Sequence, residues 1–382
     1  MTGAVISNAT GRFEVPLGPY RISIGRGLIG EVGPMVAARC PAHRYALITD
    51  DTVAALHADA VRDSFGDRRP TLHTMPAGEA HKTRESWARL TDELLAAGHG
   101  RDSAIVALGG GVVGDLAGFV AATFMRGIPY VQVPTTLLAM IDASIGGKTG
   151  VDTAAGKNLV GAFHQPSAVL ADPGVLETLP LAQLRAGLAE AVKHGAVADA
   201  DYFELVAREG PGLLARHPDA DDAGSWVGLV HRSVQIKASV VERDEREGGL
   251  RKILNFGHTL GHAVELESGF SMLHGEAIAV GMTLEAELAE RLGLAVSGTR
   301  ETVESTLRAL GLPTALPREQ APERVLDATR LDKKARAGAV EYALPRAIGA
   351  MAGADSGYGI RVPDDLALAV LRDSAGHREG GR

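Results

Sequence analysis

The stretch AIVALGGGVVGDL, residues 104–116, indicates the fold of this chain. Its first five residues have the length and β-branched content of a buried strand. Three glycines follow, and a helical pattern then runs to Thr123. A strand, a glycine-rich turn and a helix satisfy the G-x-G-x-x-G pattern, in which backbone amides approach a pyrophosphate at a helix N-terminus. The stretch therefore predicts a nucleotide site, with a purely structural turn as the alternative.

The same alternation of strand and helix extends over the first half of the chain. Residues 45–48 and 130–133 have the character of strands, and residues 84–97 carry apolar side chains at helical spacing. Strands that alternate with helices favour a largely parallel sheet. After Pro180 the helical patterns are long, at 181–208, 225–245, 255–267 and 274–293. We predict an α/β fold with an N-terminal Rossmann-like α/β domain, residues 1–180, and a mainly α-helical domain, residues 181–382. A single domain is the alternative.

The composition excludes several classes of protein. A formal net charge of −8 argues against a surface for nucleic acid or anionic membranes. No apolar run approaches the ~18 to 20 residues of a membrane helix. The amino terminus lacks a basic region followed by an apolar stretch, so we expect no secretory signal. Cys40 is the only cysteine, which excludes an internal disulfide framework and a thiolate metal cluster. We expect a cytoplasmic protein.

The glycine-rich turn lacks one usual companion, the acid about 20 residues further on that binds a ribose hydroxyl. Asp50 could take that role, because it ends a predicted strand. Glu79 and Lys82 are further candidates. The residues by themselves indicate a nucleotide site of atypical topology.

Residues 126–158 gather cations and hydroxyl groups in a chain whose net charge is negative. Lysines between glycine turns suit an oxyanion, because the backbone can approach it and the ammonium group supplies charge. We favour an anion site over a plain surface loop. The polar residues are Arg126, Thr135, Thr136, Asp142, Lys148, Thr149, Lys157 and Asn158.

Histidine and glutamate side chains suggest a metal site. His258 and His262 are four residues apart in a predicted helix and project from one face. Two imidazoles suit zinc, whose catalytic sites take three protein ligands and keep one position open. His274 could add a ligand, and chance spacing is the alternative. Glu190 and Lys193 also share a helix face, and burying both is costly unless a metal, an anion or both use them.

Together these motifs resemble the 3-dehydroquinate synthase family. The matching motifs are residues 109–115, MRG at 125–127, PTTLL at 134–138, DASIGGKTG at 142–150, GKN at 156–158, GLAEAVKHG at 187–195, LNFGHTLGH at 254–262, LHGE at 273–276 and LDKK at 331–334. The resemblance implies an NAD-binding first domain, a metal- and substrate-binding second domain and a homodimer.

The resemblance also implies a role for each matching residue. It assigns Zn²⁺, for which Co²⁺ can substitute, to Glu190, His258 and His274, and it assigns His262 to the substrate phosphate. The implied NAD contacts are Asp50, Glu79, Lys82, Gly111, Gly114, Asp115, Thr135, Thr136, Asp142, Lys148, Lys157 and Thr178. The implied substrate and catalytic contacts are Arg126 (from the dimer partner), Asp142, Lys148, Asn158, Lys193, Lys237, Arg251, Asn255, His262 and one of Lys333 and Lys334.

The family's reaction converts 3-deoxy-D-arabino-heptulosonate 7-phosphate to 3-dehydroquinate and phosphate in the shikimate pathway. The resemblance implies transient oxidation of the C5 hydroxyl by NAD, β-elimination of phosphate, return of the hydride and an intramolecular aldol closure.

Three alternatives stay open at this point. A related sugar phosphate cyclase of secondary metabolism would act on a heptulose phosphate without a carboxylate. A metal-dependent polyol dehydrogenase would have the nucleotide turn and the metal ligands but would not need the many cations. A catalytically inactive binding protein would keep the scaffold alone. Lys237 and Arg251 favour the acidic substrate, because cations facing a neutral group would be desolvated without compensation.

Overall fold

The computed structural model of this chain describes residues 11–154, 156–216, 223–330 and 340–376. The chain divides into two compact units. The first unit contains the chain up to Pro180 and, further on, the described residues 223–238. The second unit contains Leu181–Arg216 and the chain from Ser239 onward. The sequence analysis assigned the segment before Ala238 to the second domain. Its His231 ring instead stacks on Phe13 of the first unit, with 4.0 Å between the ring centroids. The division near residue 180 otherwise stays a prediction.

Within its described residues, the first unit contains a seven-stranded sheet in the order β1-β2-β9-β6-β5-β3-β4. All neighbouring strands are parallel except β1 and β2, which form an antiparallel hairpin. The strands are β1 (Phe13–Leu17), β2 (Tyr20–Ile24), β3 (Arg44–Asp50), β4 (Thr71–Met75), β5 (Ser103–Gly109), β6 (Tyr130–Pro134) and β9 (Ala168–Ala171). A separate antiparallel hairpin pairs β7 (Lys148–Thr153) with β8 (Gly156–Phe163). The predicted strands and the predicted parallel sheet are confirmed.

The alternation of side chains along β5 explains why helices cover both faces of this sheet. Ile105 and Ala107 pack in one core with residues of α4 and α5. Ala104, Val106 and Leu108 pack in a second core with residues of α1. A strand with apolar residues on both faces is typical of a parallel sheet between two helical layers. The helices that begin in this unit are α1 (Val32–Arg39), α2 (Asp51–Val53), α3 (Asp59–Asp63), α4 (Arg84–Ala96), α5 (Gly111–Thr123) and α8 (Ala223–Arg243).

The second unit is mainly helical in the part of the chain that the structure describes. Its helices are α6 (Leu181–Ala198), α7 (Ala200–Arg216), α9 (His258–Glu267), α10 (His274–Arg291), α11 (Thr299–Ala309), α12 (Pro322–Thr329) and α13 (Asp364–Gly376). Two small antiparallel pairs join β10 (Glu341–Tyr342) to β13 (Ile360–Arg361) and β11 (Pro345–Ala347) to β12 (Ala350–Met351). A Rossmann-like α/β unit with a helical second unit confirms the predicted fold class.

One predicted helix, residues 181–208, is wrong as a single element. It is divided into α6 and α7 at Asp199, whose Oδ1 accepts a hydrogen bond from Tyr202 N at 3.0 Å. Aspartate favours such N-terminal positions, because its short side chain satisfies a backbone donor at the helix start. The helical periodicity continues through this break, so the pattern alone did not reveal it.

Helices α9 and α10 pack closely, and the start of α9 lies against the middle of α10. A Cβ on Gly281 would lie 2.0 Å from Gly257 O and 2.6 Å from Gly261 N. Only glycine therefore allows this approach of the two backbones. Leu260 and Val264 of α9 and Leu284 and Leu288 of α10 share one apolar core.

Among the described residues, no helix combines the length and the apolar content required to cross a membrane.

Candidate active site

Four of the predicted cofactor residues lie at or just after the carboxyl ends of neighbouring parallel strands, or end the turn that follows one. Asp50 is the last residue of β3, Gly111 follows β5 by two residues, and Thr135 directly follows β6. Thr178 ends the 3₁₀ turn that follows β9. Because these four strands are parallel, their carboxyl ends lie at one edge of the sheet. Open parallel sheets bind ligands at this edge.

The glycine-rich turn brings the start of α5 close to β6. A Cβ on Gly114 would lie 2.5 Å from Gln132 Oε1, and one on Gly110 would lie 3.1 Å from Thr136 Cγ2. Gly110 is the N-cap of α5, and no side chain of the described residues caps this terminus. The amides of the first helical turn therefore suit a bound anion.

The side chain of Thr135 indicates that a polar cofactor fits at this edge of the sheet. Its backbone N donates to Gly109 O at 3.0 Å, which ties the end of β6 to the glycine turn. Its Oγ1 is buried and has no hydrogen-bond partner among the described residues. Buried hydroxyl groups are normally hydrogen-bonded. A polar ligand such as NAD would satisfy it, so the residues present fit such a cofactor.

Asp50 ends β3, and Thr178 ends the turn after β9, so the two residues flank β5 and β6 in the order of the sheet. Asp50 Oδ1 accepts from Val53 N at 2.8 Å, and burial raises the pKa of its carboxyl. Thr178 Oγ1 donates to Val175 O at 2.9 Å and lies 3.2 Å from His57 Nε2. The prediction that Asp50 ends a strand is confirmed.

Four further predicted cofactor residues meet in a group of ion pairs. Lys82 is 3% exposed, and its Nζ lies 3.0 Å from Glu79 and 3.2 Å from Asp115. Lys157 Nζ lies 3.5 Å from Glu79. Burial raises the pKa of Asp115 to about 6, although the charge of Lys82 opposes that increase. Asp152, whose Oδ1 lies 3.8 Å from Lys82 Nζ, was missed by the sequence analysis.

The other residues of the predicted anion stretch are distributed over several elements. Lys148 begins β7 and Asn158 lies on β8, and both are exposed. Arg126 is also exposed and has a left-handed backbone, as Asn158 does, with φ values of 69° and 51°. Thr136 Oγ1 accepts from Ala139 N at 3.1 Å and stabilises the turn after β6.

Asp142 binds a lysine of the same unit. Lys237 Nζ donates to Asp142 Oδ1 and to its backbone O, at 2.7 Å in both cases. Lys237 is 6% exposed, so this cation is held in a buried position. Both residues were predicted for the site, and the structure brings them together.

In the second unit, three helices bring the predicted metal ligands together. Glu190 lies on α6, His258 begins α9 and His274 begins α10. Glu190 Oε1 lies 3.5 Å from His258 Nε2 and 3.4 Å from His274 Nε2. Two ligands at ~2.1 Å from a tetrahedral Zn²⁺ are ~3.4 Å apart. The spacing and the donor types therefore fit a zinc ion.

His262 lies beside this group, as its helical spacing from His258 predicted. The two rings make an edge contact with centroids 5.2 Å apart. Each of His258, His262 and His274 can offer a nitrogen within 4.8 Å of the other two. The geometry therefore admits a second donor set with His262 in place of Glu190.

Hydrogen bonds, burial and nearby charges set the protonation of the two histidines predicted as metal ligands. His258 Nδ1 lies 3.1 Å from Phe256 O, which can only accept, so Nδ1 carries the proton and Nε2 presents its lone pair. Burial and then the charge of Lys193 hold the pKa of His258 well below its usual value. His274 Nδ1 lies 3.4 Å from Glu265 Oε2. Burial lowers the pKa of His274, but Glu190 and Glu265 together raise it to about 9.

Two predicted cations of this unit, Lys193 and Arg251, are deeply buried, and the predicted Asn255 is half-buried. Lys193 is 1% exposed and forms an ion pair with Glu190, as their helical spacing predicted. Arg251 is 2% exposed and donates to Glu245 O. Asn255 Nδ2 donates to Glu247 Oε1 at 2.6 Å. Lys333 and Lys334 lie outside the described residues.

The sequence analysis missed two carboxylates near the metal ligands, Glu265 and Glu285. Glu265 follows His258 by seven residues, so helical spacing places it on the same face. That spacing is the sequence signal for the position of Glu265. Glu285 lies eleven residues after His274, and no local pattern connects it to α9.

Comparison with known proteins identifies the family of this chain. Residues 72–186 match the 3-dehydroquinate synthase N-terminal family and residues 187–335 match its C-terminal family. The chain belongs to the 3-dehydroquinate synthase family. It is 47% identical over 341 residues to the 3-dehydroquinate synthase of Xylella fastidiosa, which covers 87% of this chain and 90% of that protein.

Two solved structures of enzymes with other names are also similar to this chain. One is 2-deoxy-scyllo-inosose synthase with carbaglucose-6-phosphate, NAD⁺ and Co²⁺, at a TM-score of 0.84 and 27% identity, covering 95% of this chain and 100% of that one. The other is 2-epi-5-epi-valiolone synthase from Streptomyces hygroscopicus subsp. jinggangensis with NAD⁺ and Zn²⁺. Its TM-score is 0.82 and its sequence identity is 31%, and the match covers 94% of this chain and 97% of that one.

Proposed function

We propose that this chain is an NAD- and zinc-dependent 3-dehydroquinate synthase, with Co²⁺ as a substitute metal. It would convert 3-deoxy-D-arabino-heptulosonate 7-phosphate to 3-dehydroquinate and phosphate in the shikimate pathway, as a phosphate-eliminating carbon–oxygen lyase. One observation carries the proposal. Glu190 Oε1 lies 3.4–3.5 Å from the Nε2 atoms of His258 and His274, in a chain of this family.

The bound groups would supply chemistry that protein side chains lack. NAD supplies a reversible hydride acceptor, and the divalent metal supplies a Lewis acid for a substrate oxygen. Glu190, His258 and His274 would hold the metal, and the carbonyl of Phe256 keeps the Nε2 of His258 free of a proton for this task.

The side chains of this chain would mainly orient the two anionic ends of the substrate. Lys193, Asn255 and His262 would bind the phosphate. Arg251 and Lys237 would bind the carboxylate, as the resemblance to the family implies, and both side chains are buried. Arg126, Lys148, Asn158 and one of Lys333 and Lys334 would complete the substrate contacts. Holding both ends in one orientation supplies much of the rate in a cyclisation.

The first unit would hold NAD at the carboxyl edge of its sheet. The amides at the start of α5 and the buried hydroxyl of Thr135 support this proposal. Asp50, Glu79, Lys82, Asp115, Thr136, Asp142, Lys148, Lys157 and Thr178 would contribute the other contacts, with Gly111 and Gly114 allowing close approach.

A second candidate is a sugar phosphate cyclase of secondary metabolism, because both similar solved structures are enzymes of other names. The higher identity to a 3-dehydroquinate synthase, 47% against 27% and 31%, favours the first candidate. The presence of both Lys237 and Arg251 also favours an acidic substrate.

One assay tests the proposal. Purified protein with catalytic NAD and zinc is given the heptulosonate phosphate, and phosphate and 3-dehydroquinate are measured. We expect many product equivalents per NAD and no accumulation of NADH. Equal or better turnover of sedoheptulose 7-phosphate would support the second candidate. Stoichiometric NADH from a simple polyol would instead indicate a dehydrogenase.

We further propose a homodimer in which Arg126 enters the partner's site. Arg126 is exposed. Strand β8 follows it in the sequence and carries three exposed apolar side chains, Leu159, Val160 and Phe163, whose exposed fractions are 42%, 39% and 53%. Exposed apolar patches commonly mark association surfaces. Mixing Arg126→Ala with His274→Ala protein should recover activity that neither variant has alone. Failure to recover activity in a verified mixed dimer would contradict this arrangement.

A further inference from the structure

Glu285 is a fully buried carboxylate whose position the proposed reaction does not explain. It lies on α10, eleven residues after His274, and is 0% exposed. Its Oε2 accepts from Gly257 N at 2.7 Å, and its Oε1 accepts from Leu260 N at 3.0 Å. The carboxylate of one helix therefore satisfies two backbone donors at the start of another.

The start of α9 requires this external cap. The first backbone N–H groups of a helix have no partner within the helix and usually bind a side chain at the N-cap. The N-cap of α9 is Gly257, which has no side chain and a left-handed backbone with φ 79°. A Cβ at this position would lie 2.4 Å from Met282 Cγ and 2.8 Å from Met282 N, so a capping residue does not fit here. A negative charge at this terminus is also favoured by the helix dipole.

This cap lies directly beside a proposed metal ligand. His258 follows Gly257, and its Nδ1 lies 3.1 Å from Phe256 O, one residue before the cap. Glu285 binds the amides of Gly257 and Leu260, which precede and follow His258 in the chain, so it fixes the backbone that carries the His258 ring. A shift of this turn would move both the ring and the carbonyl that orients it. Groups that orient a metal ligand in this way commonly affect metal affinity.

We propose that Glu285 is a positioning residue of the metal centre, which holds the first turn of α9 so that His258 Nε2 faces Glu190 and His274. This inference rests on the proposed metal site. It concerns a residue that would touch neither the metal nor the substrate.

The test compares three substitutions in the full-length protein. Glu285→Gln keeps the shape but directs an NH₂ group at one of two N–H donors. Glu285→Asp keeps the charge but shortens the reach by one methylene. Glu287→Gln is the matched control, because Glu287 lies on the same helix and binds Arg291 and Arg300 instead of α9.

Two readouts separate positioning from general stability. The first is the affinity for Zn²⁺ measured by competition with a chelating dye, and the second is the visible spectrum of the Co²⁺ form. We expect Glu285→Gln to weaken zinc binding about 10- to 100-fold and to change the cobalt spectrum. Glu285→Asp should show a smaller effect, and Glu287→Gln should match the wild type.

Other outcomes would overturn the inference. A Glu285→Gln protein that is less stable but keeps wild-type zinc affinity and cobalt spectrum would show a merely structural role. If that variant does not fold, a Glu285→Asp protein with unchanged zinc affinity and spectrum leads to the same conclusion. A wild-type protein that binds no zinc would overturn the metal centre itself, which is a distinguishable result.

Discussion

In the first unit several predicted cofactor residues follow the ends of parallel strands, whereas in the second unit three helices each contribute one predicted metal ligand. The first arrangement depends on backbone amides and short loops, such as the turn between β5 and α5. The second depends on how α6, α9 and α10 pack, because Glu190, His258 and His274 are far apart in sequence. The comparison teaches that the nucleotide edge follows from local geometry, while the metal centre depends on helix packing.

The largest expected effect is the loss of a metal ligand. His274→Ala should reduce turnover by more than the about 100-fold that an outer partner of a metal site can cause. Chelator treatment of the wild type should abolish turnover, and zinc or cobalt should restore it. NAD affinity, measured by calorimetry, should stay close to wild type in His274→Ala. Full activity in a verified metal-free preparation would refute the assignment of Glu190, His258 and His274 as metal ligands.

A smaller loss is expected when a buried cation of the second unit is removed. Arg251→Ala should reduce kcat/KM for the heptulosonate phosphate by about 10- to 150-fold, since a charge-assisted contact is worth ~1.5 to 3 kcal/mol. Turnover of sedoheptulose 7-phosphate, which lacks the carboxylate, should change much less. Equal losses for both substrates would indicate that Arg251 acts on the fold or the phosphate rather than on the carboxylate.

The packing of α9 on α10 can be tested with a single methyl group. Gly281→Ala would place a Cβ 2.0 Å from Gly257 O, so the helices must separate. We expect a decrease of about 1–3 kcal/mol in the free energy of unfolding, together with weaker zinc binding.

Gly228→Ala is the control for this substitution. No atom lies within 4 Å of the position of its Cβ, and it lies inside α8. We expect Gly228→Ala to stabilise the protein by about 0.5–1 kcal/mol. Denaturant unfolding measures both variants. Unchanged zinc affinity in Gly281→Ala would show that the metal site tolerates displacement of the helices. That result would contradict the dependence of the metal site on helix packing.

A further effect concerns the acid stability of the first unit. Burial lowers the pKa of His99 to about 4, and the positive charges of His73 and Arg44 add to this while Asp102 opposes it. The unfolded chain therefore takes up a proton near pH ~6.5, whereas the folded chain does so only near pH 4. The free energy of unfolding should fall as the pH decreases between these values. His99→Gln should reduce that slope in denaturant titrations, and an unchanged slope would assign it to other groups.

The local elements were largely predictable because periodicity reports them directly. The strands that contain residues 45–48, 104–108 and 130–133 are where the sequence predicts them, and so is the helix over residues 84–97. The break between α6 and α7 at Asp199 was not predictable from the sequence, because an N-cap aspartate inside a continuous helical pattern looks like any other polar residue. The grouping of the segment before Ala238 with the first unit also has no local signal, since it depends on contacts such as that between His231 and Phe13.

The fold class, the glycine turn after β5 and the residue types of a metal and anion site could be read from the amino-acid order, because they depend on short-range spacing. Only the tertiary structure decided that Glu190 Oε1 lies within 3.5 Å of two imidazole nitrogens and that Glu285 caps α9. The physical reason is that such distances depend on how closely helices cross. Here that crossing is set by Gly257, Gly261 and Gly281, which have no side chains to keep α9 and α10 apart.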